Sequence, residues 1–470
     1  MSFVWSKIPH RFVAGTASEG ANLDRPKHWC ATKEWSSCYS VELLGQPTGE
    51  GSYVEAGDVL REGVNFPQSE QSFETGQPTY IDTVCIDTAT GLCVTAYADA
   101  GNSNKGTAIV TQKKGTDAYP DKGTAVVFNN ATTTDISICK LSSTTVAISY
   151  CDDGGSDYIC AIIGTVTEST LTIAFGTEKE LTDIASTKTE GTGICEPRDG
   201  VIAVAWSAGA TSGIYTSGEG YVIAATFSGT TIATPGTAVE FGENEADMMY
   251  IDCCSHANGA IAVAYQALTT SNDPVRVNIG TVSSAAVVAF AGSVESMNAA
   301  AATSITIKAW ATNVLAISWI AGSDAYLIAG TVSSTTVTQG TAIAVNSGTC
   351  LTPHFDILDD THLIYVFEDD VQTAPADPLA AVKITRSTTT LTAGNTDFGT
   401  EASTAAPKVA AINSGEFIVY YDDVGASNVG NMINGECRSD MLDVRSSTAS
   451  AVWRCCVVPL YEYEQIDTGY

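Results

Sequence analysis

Basic residues are scarce in this sequence. Lys and Arg together number 22 against 53 Asp and Glu, so the formal net charge is −31 at pH 7. Proteins that bind nucleic acid do so largely by neutralising phosphates with Lys and Arg. Anionic membrane surfaces attract the same residue types. The composition therefore argues against nucleic acid and anionic lipid surfaces as partners.

Long apolar runs are also absent. No stretch reaches the roughly 18 residues that a membrane-spanning helix needs. The first fifteen residues, MSFVWSKIPHRFVAG, are interrupted by Lys7, His10 and Arg11 and contain no apolar core of a secretory signal peptide. We therefore expect a protein that is made in the cytoplasm without a signal peptide and does not insert into a membrane.

Sequence motifs for catalysis are missing as well. The five histidines are His10, His28, His256, His354 and His362. None stands beside a GxSxG nucleophile elbow, and there is no Walker motif or convincing GxGxxG. Paired carboxylates are common in so acidic a chain, but the sequence does not place two of them at the separation that glycoside hydrolysis requires. We predict that the protein is not an enzyme, and a polysaccharide-cleaving glycosidase is the second alternative.

The fourteen cysteines form no CxxC pair and no Cys/His zinc spacing. Cys85 and Cys93 flank a short turn, so a hairpin would place them opposite each other. Two interpretations stay open for the set: small buried apolar side chains in a reducing compartment, or structural disulfides formed after release from a cell. The trio His28, Cys30 and Cys38 matches no zinc pattern, and we predict no metal site or cofactor.

What the sequence does contain is a repeat. The stretch Leu92 to Asp99, LCVTAYAD, returns as close variants that combine aliphatic and small residues, an aromatic and a polar turn. The seven aromatics are Tyr97, Tyr150, Trp206, Tyr265, Trp319, Phe367 and Tyr421, separated by 53, 56, 59, 54, 48 and 54 residues. A fixed period near fifty is the signature of a repeat architecture.

Each repeat reads as four β-strands. The first complete one runs YIDTVCID, GLCVTAYAD, GTAIVTQKK and GTAVVFNN, which are short segments rich in Val, Ile, Thr and aromatics and bounded by turn residues. The fourth strand recurs six times, at 123–128, 176–181, 236–241, 292–297, 340–345 and 399–404. The seventh repeat has no such strand, while EGVNFPQ, Glu62 to Gln68, precedes the first. We predict that residues near 60–68 complete the last sheet.

These features predict an all-β fold, a seven-bladed β-propeller of four-stranded antiparallel blades closed by an N-terminal strand. A long β-solenoid is the other possibility, but solenoid repeats are usually shorter. The second-strand aromatics then fill the wedges between neighbouring sheets. The acidic turns at 98–104, 151–157, 368–370 and 421–428 have ordinary turn chemistry, with Ca²⁺ binding as the alternative.

The two ends do not repeat. We therefore divide the chain into a docking segment at 1–55, the propeller at 56–435 and a second non-repeating segment at 436–470. Aromatics are enriched in the buried centres of interfaces. The aromatics of these ends are the predicted partner-binding residues, namely Trp5, Trp29, Trp35, Tyr39, Trp453, Tyr461 and Tyr463. The alternative is that both ends cap their own propeller.

The order of motifs, an aliphatic run with an aromatic, then IGTV, then GTAVxF, resembles the propeller repeats of tailed-bacteriophage virion proteins. The resemblance covers roughly residues 60–435 and implies no catalytic residues. It implies a non-enzymatic virion structural protein, a tail or fibre component or a capsid-attached propeller used in assembly or host-surface adsorption. The implied partners are other virion subunits in an oligomeric assembly and a host glycan or receptor, and the implied location is the virion. A glycan-binding, lectin-like propeller is the first alternative.

Overall fold

The computed structural model describes residues 64–436 except for 67–69, 114–118, 155–157, 186–190, 209–217, 243–246, 269–272, 293, 299, 347, 371–377, 399–403 and 426–427. Beyond that range it describes isolated strands. The chain divides into two compact units, a core unit, Val64–Glu436, and a terminal unit, Met1–Gly63 with Cys437–Tyr470. The strands up to the first repeat are β1 (Phe12–Val13), β2 (Cys38–Leu43), β3 (Tyr53–Val54), β4 (Leu60–Asn65) and β5 (Gln71–Glu74).

The first and second repeats share one long strand. The first comprises β6 (Pro78–Asp87), β7 (Leu92–Asp99), β8 (Lys105–Gln112), β9 (Asp121–Lys122) and the start of β10 (Val126–Lys140). The second comprises the end of β10, then β11 (Thr145–Asp152), β12 (Tyr158–Thr167), β13 (Thr172–Phe175) and β14 (Lys179–Ala185). Residues 126–132 of β10 pair with β8, and residues 133–140 pair with β11. One strand therefore serves as the fourth of one repeat and the first of the next.

The third, fourth and fifth repeats follow a common plan, in which two short outer strands pair with the third strand. The third has β15 (Gly193–Arg198), β16 (Val201–Ser207), β17 (Gly220–Ser228), β18 (Thr231–Ile232) and β19 (Val239–Glu240). The fourth has β20 (Asp247–Ala257), β21 (Ala260–Leu268), β22 (Val275–Val282), β23 (Val288–Phe290) and β24 (Glu295–Ser296). The fifth has β25 (Thr303–Ala311), β26 (Val314–Ala321), β27 (Asp324–Ser333), β28 (Thr336–Gln339) and β29 (Ile343–Asn346).

The sixth repeat corrects one predicted strand. It has β30 (Cys350–Asp359), β31 (His362–Asp369), β32 (Leu379–Ser387) and β33 (Thr390–Phe398), in that order across the sheet. Its outer strand is therefore β33 and not the predicted segment 399–404. Thr404 already begins the next repeat, and 399–403 lie outside the described residues. The repeated GT pair was a poor marker of this strand because here it follows the strand.

The seventh repeat receives a strand from the start of the core unit. It has β34 (Thr404–Asn413), β35 (Glu416–Asp423) and β36 (Val429–Arg445). Gly430, Asn431 and Met432 of β36 pair antiparallel with β5. In the terminal unit, the far end of β36 pairs with β37 (Val452–Leu460), β2 also pairs with β37, and β1 pairs with β3.

All the strand pairings that the structure gives in these repeats are antiparallel, so the predicted all-β fold of four-stranded antiparallel sheets is confirmed. Among the described residues, helical structure is limited to the 3₁₀ turns Ala100–Asn102 and Glu168–Thr170. None of the helices described is long and apolar enough to cross a membrane. The second strands carry the core, since all eight residues of β7 are buried. Burial on both faces indicates that a second strand is covered on each side.

The second-strand aromatics pack between consecutive sheets, as predicted. Trp206 is fully buried in a cluster with Ala147, Ile159 and Ile163 of the second repeat. Trp319 is 2% exposed and packs with residues of the fourth repeat. In the same way Tyr97 of the first repeat joins Ile418 and other residues of the seventh. Each of these aromatics therefore belongs to a core shared with another sheet, which is why it recurs at the repeat period.

The glycine of the GT pair makes another contact between repeats. A Cβ atom on Gly123 would lie 1.7 Å from the carbonyl oxygen of Leu171, in the turn that follows the third strand of the second repeat. A Cβ atom on Gly340 would lie 2.3 Å from the carbonyl oxygen of Thr389 in the sixth repeat. Such distances exclude any side chain, so the repeated glycine marks a close approach of two backbones.

Candidate functional site

The first strands of the repeats surround one cavity of about 400 Å³. Each first strand contacts the first strand of the next repeat, and β34 of the seventh contacts β6 of the first. The lining contains residues from all seven repeats, from 80–82, 135–137, 191–192, 250–252, 304–306 and 352–354 together with Ala406 and Lys408. We call this space the first-strand cavity.

A left-handed residue marks the cavity rim in every repeat. The positions with positive φ are Tyr80 (51°), Asp135 (51°), Gly191 (86°), Tyr250 (51°), Ser304 (52°), Thr352 (43°) and Ala406 (47°). In the six repeats other than the third, the pairing of first and second strands shifts register across this residue, which is the geometry of a β-bulge. Positive φ at residues other than glycine costs energy and clusters at functional sites. The bulges turn these residues toward the cavity.

Below the bulges, carboxylates join neighbouring first strands. Asp82 accepts a hydrogen bond from the backbone N–H of Ile138 at 2.9 Å. Asp356 accepts one from Ala411 N–H at 2.8 Å. Asp252 accepts from Cys253 N–H at 2.8 Å and from the next repeat at 2.9 Å. These carboxylates therefore have a structural role, because buried backbone donors need partners.

A cation lies beside these carboxylates. Lys308 Nζ lies 3.1 Å from Asp356 Oδ1, with about a quarter of the lysine side chain exposed. Burial lowers the pKa of Lys308, but attraction to the carboxylates of Asp356, Asp82 and Asp252 outweighs it and raises the pKa overall. Burial raises the pKa of Asp252 to about 6, although its hydrogen bonds act in the opposite direction. The cavity lining itself contains Asp82, Asp135 and Asp252 against Lys408, so acidic groups outnumber basic ones there.

His354 contributes a neutral imidazole. The side chain is buried, and its Nδ1 accepts a hydrogen bond from the backbone N–H of Val409 at 3.1 Å. Burial, together with the charges of Lys408 and Lys308, holds the pKa of His354 well below its usual range. An imidazole that accepts at Nδ1 while neutral carries its proton on Nε2. This histidine is therefore fixed in one tautomer.

Two tyrosines stand at the rim of the cavity. Tyr80 is 41% exposed, and Tyr250 is half-buried. Burial of part of the ring, and then the charges of Asp135 and Asp153, raise the pKa of Tyr80, so its phenol stays protonated. Hydroxyl groups from Ser304 and Thr352 lie at equivalent rim positions. The rim therefore combines aromatic rings with groups that both donate and accept hydrogen bonds.

Two of the acidic turns, at 98–104 and 151–157, have the hydrogen bonds of ordinary turns. Asp99 Oδ1 accepts from Asn102 N–H at 3.1 Å and caps the 3₁₀ turn. Asp152 Oδ1 accepts from Gly154 N–H at 3.1 Å, and Asp422 accepts from the side chain of Gln77. Among the described residues there is no group of three or more His, Cys, Asp or Glu that could hold a metal ion.

The predicted partner-binding aromatics are not tested by the structure. Trp5, Trp29, Trp35, Tyr461 and Tyr463 lie outside the described residues. The backbones of Tyr39 and Trp453 belong to β2 and β37. The structure does not bring these seven residues together as a described site, and they stay a prediction.

The first-strand cavity was not predicted from the sequence, although a signal was present. The positive-φ residue precedes the second-strand aromatic by fifteen residues in six repeats, as Gly191 precedes Trp206, and by seventeen in the first. The residue types at this position differ, and they include tyrosine, aspartate, serine, threonine, alanine and glycine. The backbone conformation at this position repeats, but the type of residue does not, so the repeat is hard to detect in one sequence.

No protein-family model and no curated protein matches the chain. Among solved structures, it is similar to AofleA from Arthrobotrys oligospora, with 9% identity over 73% of this chain and 90% of that one at a TM-score of 0.45. A protein of Bacteroides uniformis, provisionally classed as a 6-phosphogluconolactonase, is 10% identical over 82% and 100% at 0.47. A polysaccharide lyase, an ulvan lyase bound to -[GlcA(1-4)Rha3S]-, is 10% identical over 77% and 95% at 0.46.

These comparisons contradict the expected virion structural role. The similar structures named above are not described as virion components, and two of them carry the names of enzymes. The prediction rested on the order of motifs in the repeat. The GT glycine and the second-strand aromatic show that this order follows from packing between sheets, and such packing is independent of function.

Proposed function

We propose that the core unit is a closed seven-bladed β-propeller that binds a glycan, without catalysis, at the first-strand cavity. The observation that carries the proposal is the cavity rim, where every repeat contributes a residue in the left-handed conformation and two of these residues are tyrosines. Strained backbone at six equivalent places, with glycine at the seventh, needs a reason beyond packing. Presentation of side chains to a ligand supplies one.

Contacts between the first and seventh repeats support closure. Tyr97 donates a hydrogen bond to Glu74 at 2.8 Å, and Thr111 and Tyr420 share one at 2.5 Å. Phe73 on β5 packs edge-on against both Tyr97 and Tyr420. A propeller closes by packing between separate sheets, so closure does not require any sheet to close on itself. β5 lies a few residues after the predicted segment near 60–68, and β4, which lies within that segment, also pairs with β36.

A saccharide suits the chemistry of the rim. The apolar face of a sugar ring packs on an aromatic ring, while its hydroxyls donate and accept hydrogen bonds. Tyr80 and Tyr250 offer the rings, and Ser304, Thr352 and Lys408 offer polar groups. A volume of about 400 Å³ lies within the ordinary range of ligand pockets. The net charge of −31 disfavours strongly anionic polysaccharides, because the field of the protein repels them.

The same geometry disfavours hydrolysis. A general acid or base must be free to exchange its proton with the substrate. Asp82, Asp252 and Asp356 instead accept hydrogen bonds from backbone N–H groups of neighbouring strands. We therefore infer that these carboxylates hold the cavity together and do not cleave a glycosidic bond.

A glycan array of neutral and acidic oligosaccharides, followed by calorimetry on the strongest hit, tests the proposal. We expect Tyr80→Ala to weaken binding about tenfold or more, because the ring contact is lost. Tyr80→Phe retains the ring and is expected to retain most of the affinity. Tyr119→Ala is the matched control, since Tyr119 is also exposed but does not line the cavity.

Absence of binding to every oligosaccharide would contradict the proposal, as would equal affinity of the Tyr80→Ala variant and the wild type. Release of reducing sugar from a bound oligosaccharide would contradict the non-enzymatic part alone. Loss of that release in an Asp252→Asn variant would then identify the carboxylates as catalytic.

A further inference from the structure

Two thiols from different sheets meet in the core. The Sγ atoms of Cys195 on β15 and Cys253 on β20 lie 3.8 Å apart. Both residues are 5% exposed and belong to the same apolar cluster between the third and fourth repeats. The neighbouring Cys254 belongs to a different cluster, between the fourth and fifth repeats. The adjacent residues Cys253 and Cys254 therefore pack in two different apolar clusters, each between a different pair of repeats.

Gly193 brings the two strands close enough for this contact. A Cβ atom on Gly193 would lie 2.5 Å from the backbone nitrogen of Cys253 and 3.0 Å from the Cα of Asp252. Because no side chain fits there, the backbones of β15 and β20 are in close contact at this point. Cys195 follows this glycine by two residues and lies on the same side of its strand.

We propose that Cys195 and Cys253 are a disulfide-forming pair that covalently links the third and fourth repeats when the protein meets a small disulfide oxidant. The thiolate of one cysteine attacks the oxidant, giving a mixed disulfide and releasing one thiol. The second cysteine then attacks the protein sulfur and releases the other thiol. The two cysteines lose two protons and two electrons, and the oxidant is reduced to two thiols.

The geometry needs only a small change. A disulfide bond is about 2.05 Å long, so the two sulfur atoms must approach by slightly less than 2 Å, which side-chain rotation and a small strand shift provide. The hydrogen bond with Cys253 and burial hold the pKa of the Cys195 thiol well above its usual range. We therefore expect slow oxidation at neutral pH and faster oxidation in mildly alkaline buffer.

The bond would join residues separated by 58 positions. It would limit the freedom of the unfolded chain more than a bridge within one hairpin does, since stabilisation grows with loop length. The comparison is available in the same molecule: Cys85 and Cys93 lie directly opposite each other on β6 and β7. A bridge there closes a much shorter loop and links no second sheet.

The experiment is to incubate the full chain with hydroxyethyl disulfide at pH 8.5, quench with acid and map peptides without reduction. We expect a Cys195–Cys253 peptide, the loss of two titratable thiols and a rise of roughly 3–6 °C in the melting temperature that dithiothreitol reverses. Cys195→Ser and Cys253→Ser should each abolish the peptide and the rise. Cys254→Ser is the matched control and should retain both.

The peptide map of the oxidised protein can contradict the proposal directly. If the treated wild-type protein shows no Cys195–Cys253 peptide, or pairs either residue with Cys139, Cys254 or another cysteine, the proposal is wrong. The wild-type map decides this even if a serine variant does not fold. A Cys195→Ala variant provides a second comparison, because alanine leaves no unpaired hydroxyl in the cluster. A Cys195–Cys253 peptide whose formation leaves the melting temperature unchanged would contradict the stabilising role.

Discussion

Asp252 on β20 accepts a hydrogen bond from the backbone N–H of Ile307 on β25, at 2.9 Å. The same relationship joins Asp82 to Ile138 and Asp356 to Ala411. In each case a carboxylate on the first strand of one repeat satisfies a backbone donor on the first strand of the next. These contacts hold the first strands of neighbouring repeats in register around the cavity.

Acid should stabilise the protein through Asp252. Its folded-state pKa of about 6 lies above the ordinary value of 3.8, so the folded state binds a proton more tightly than the unfolded state. The resulting contribution is fully present below pH 3.8 and is lost as the pH rises through 6. We expect the wild type to lose about 1–2 kcal/mol more than Asp252→Asn between pH 4 and 7, after allowance for solvent screening in the cavity.

Urea midpoints at several pH values measure this difference. Asp199→Asn is the control, because Asp199 is an exposed carboxylate that does not line the cavity. Parallel profiles for the wild type and Asp252→Asn would show that Asp252 has an ordinary pKa.

Removal of a second-strand tryptophan should be costly. Trp206→Ala and Trp319→Ala are each expected to lower the free energy of unfolding by ~3–5 kcal/mol, because each empties a packed space between two sheets. Phenylalanine fills part of that space, so Trp206→Phe should cost clearly less. Chemical denaturation measures these free energies. If the denaturation midpoints shift no more than they do for an exposed substitution such as Tyr119→Ala, the packing between sheets tolerates large cavities and the prediction is wrong.

The ion pair between Lys113 and Glu416 links the first repeat to the seventh. Their Nζ and Oε1 atoms are 2.5 Å apart, and the lysine side chain is 2% exposed. We expect Glu416→Gln to cost about 2–4 kcal/mol, because it leaves a buried ammonium without its counter-charge. Adding Lys113→Met should recover most of this loss. Equal stability of Glu416→Gln and the wild type would indicate that water reaches the lysine and that the two repeats do not hold together there.

Two truncations test closure of the ring. A chain that begins at Val64 keeps β5 and should melt cooperatively as a monomer. A chain that begins at Gly76 lacks β5, so β36 presents an open edge and the protein should aggregate. Light scattering and calorimetry distinguish the two, and a soluble, cooperatively melting chain from Gly76 would refute closure by β5.

The repeat and its strands could be predicted from the sequence because similar residues fill the same packing position in each repeat. Tyr97, Trp206 and Trp319 could be placed in the core since an aromatic at a fixed strand position has few other uses. The pairing of Cys85 with Cys93 followed from the length of the turn between them, and the structure confirms it. The outer strand of the sixth repeat was misplaced because Gly399 and Thr400 resemble the start of a strand while following one.

The candidate site could not be predicted for a different reason. Tyr80, Ser304 and Ala406 share a backbone conformation but not a side chain, so their equivalence is invisible without the bulge that produces it. Contacts across repeats, such as Asp252 with Ile307, depend on the angle between adjacent sheets. Local propensity does not encode that angle.

The position of β5 in the chain affects how the ring is completed during synthesis. It emerges from the ribosome near the start of the core unit, but its partner, Gly430–Met432 on β36, is made only after the first six repeats. At about 5–20 residues per second, β5 waits for roughly 20–70 s without its neighbour. During that time both ends of the growing array are open edges that another nascent chain can join. The joint that completes the ring is therefore also the point at which two copies synthesised side by side on one messenger can exchange strands.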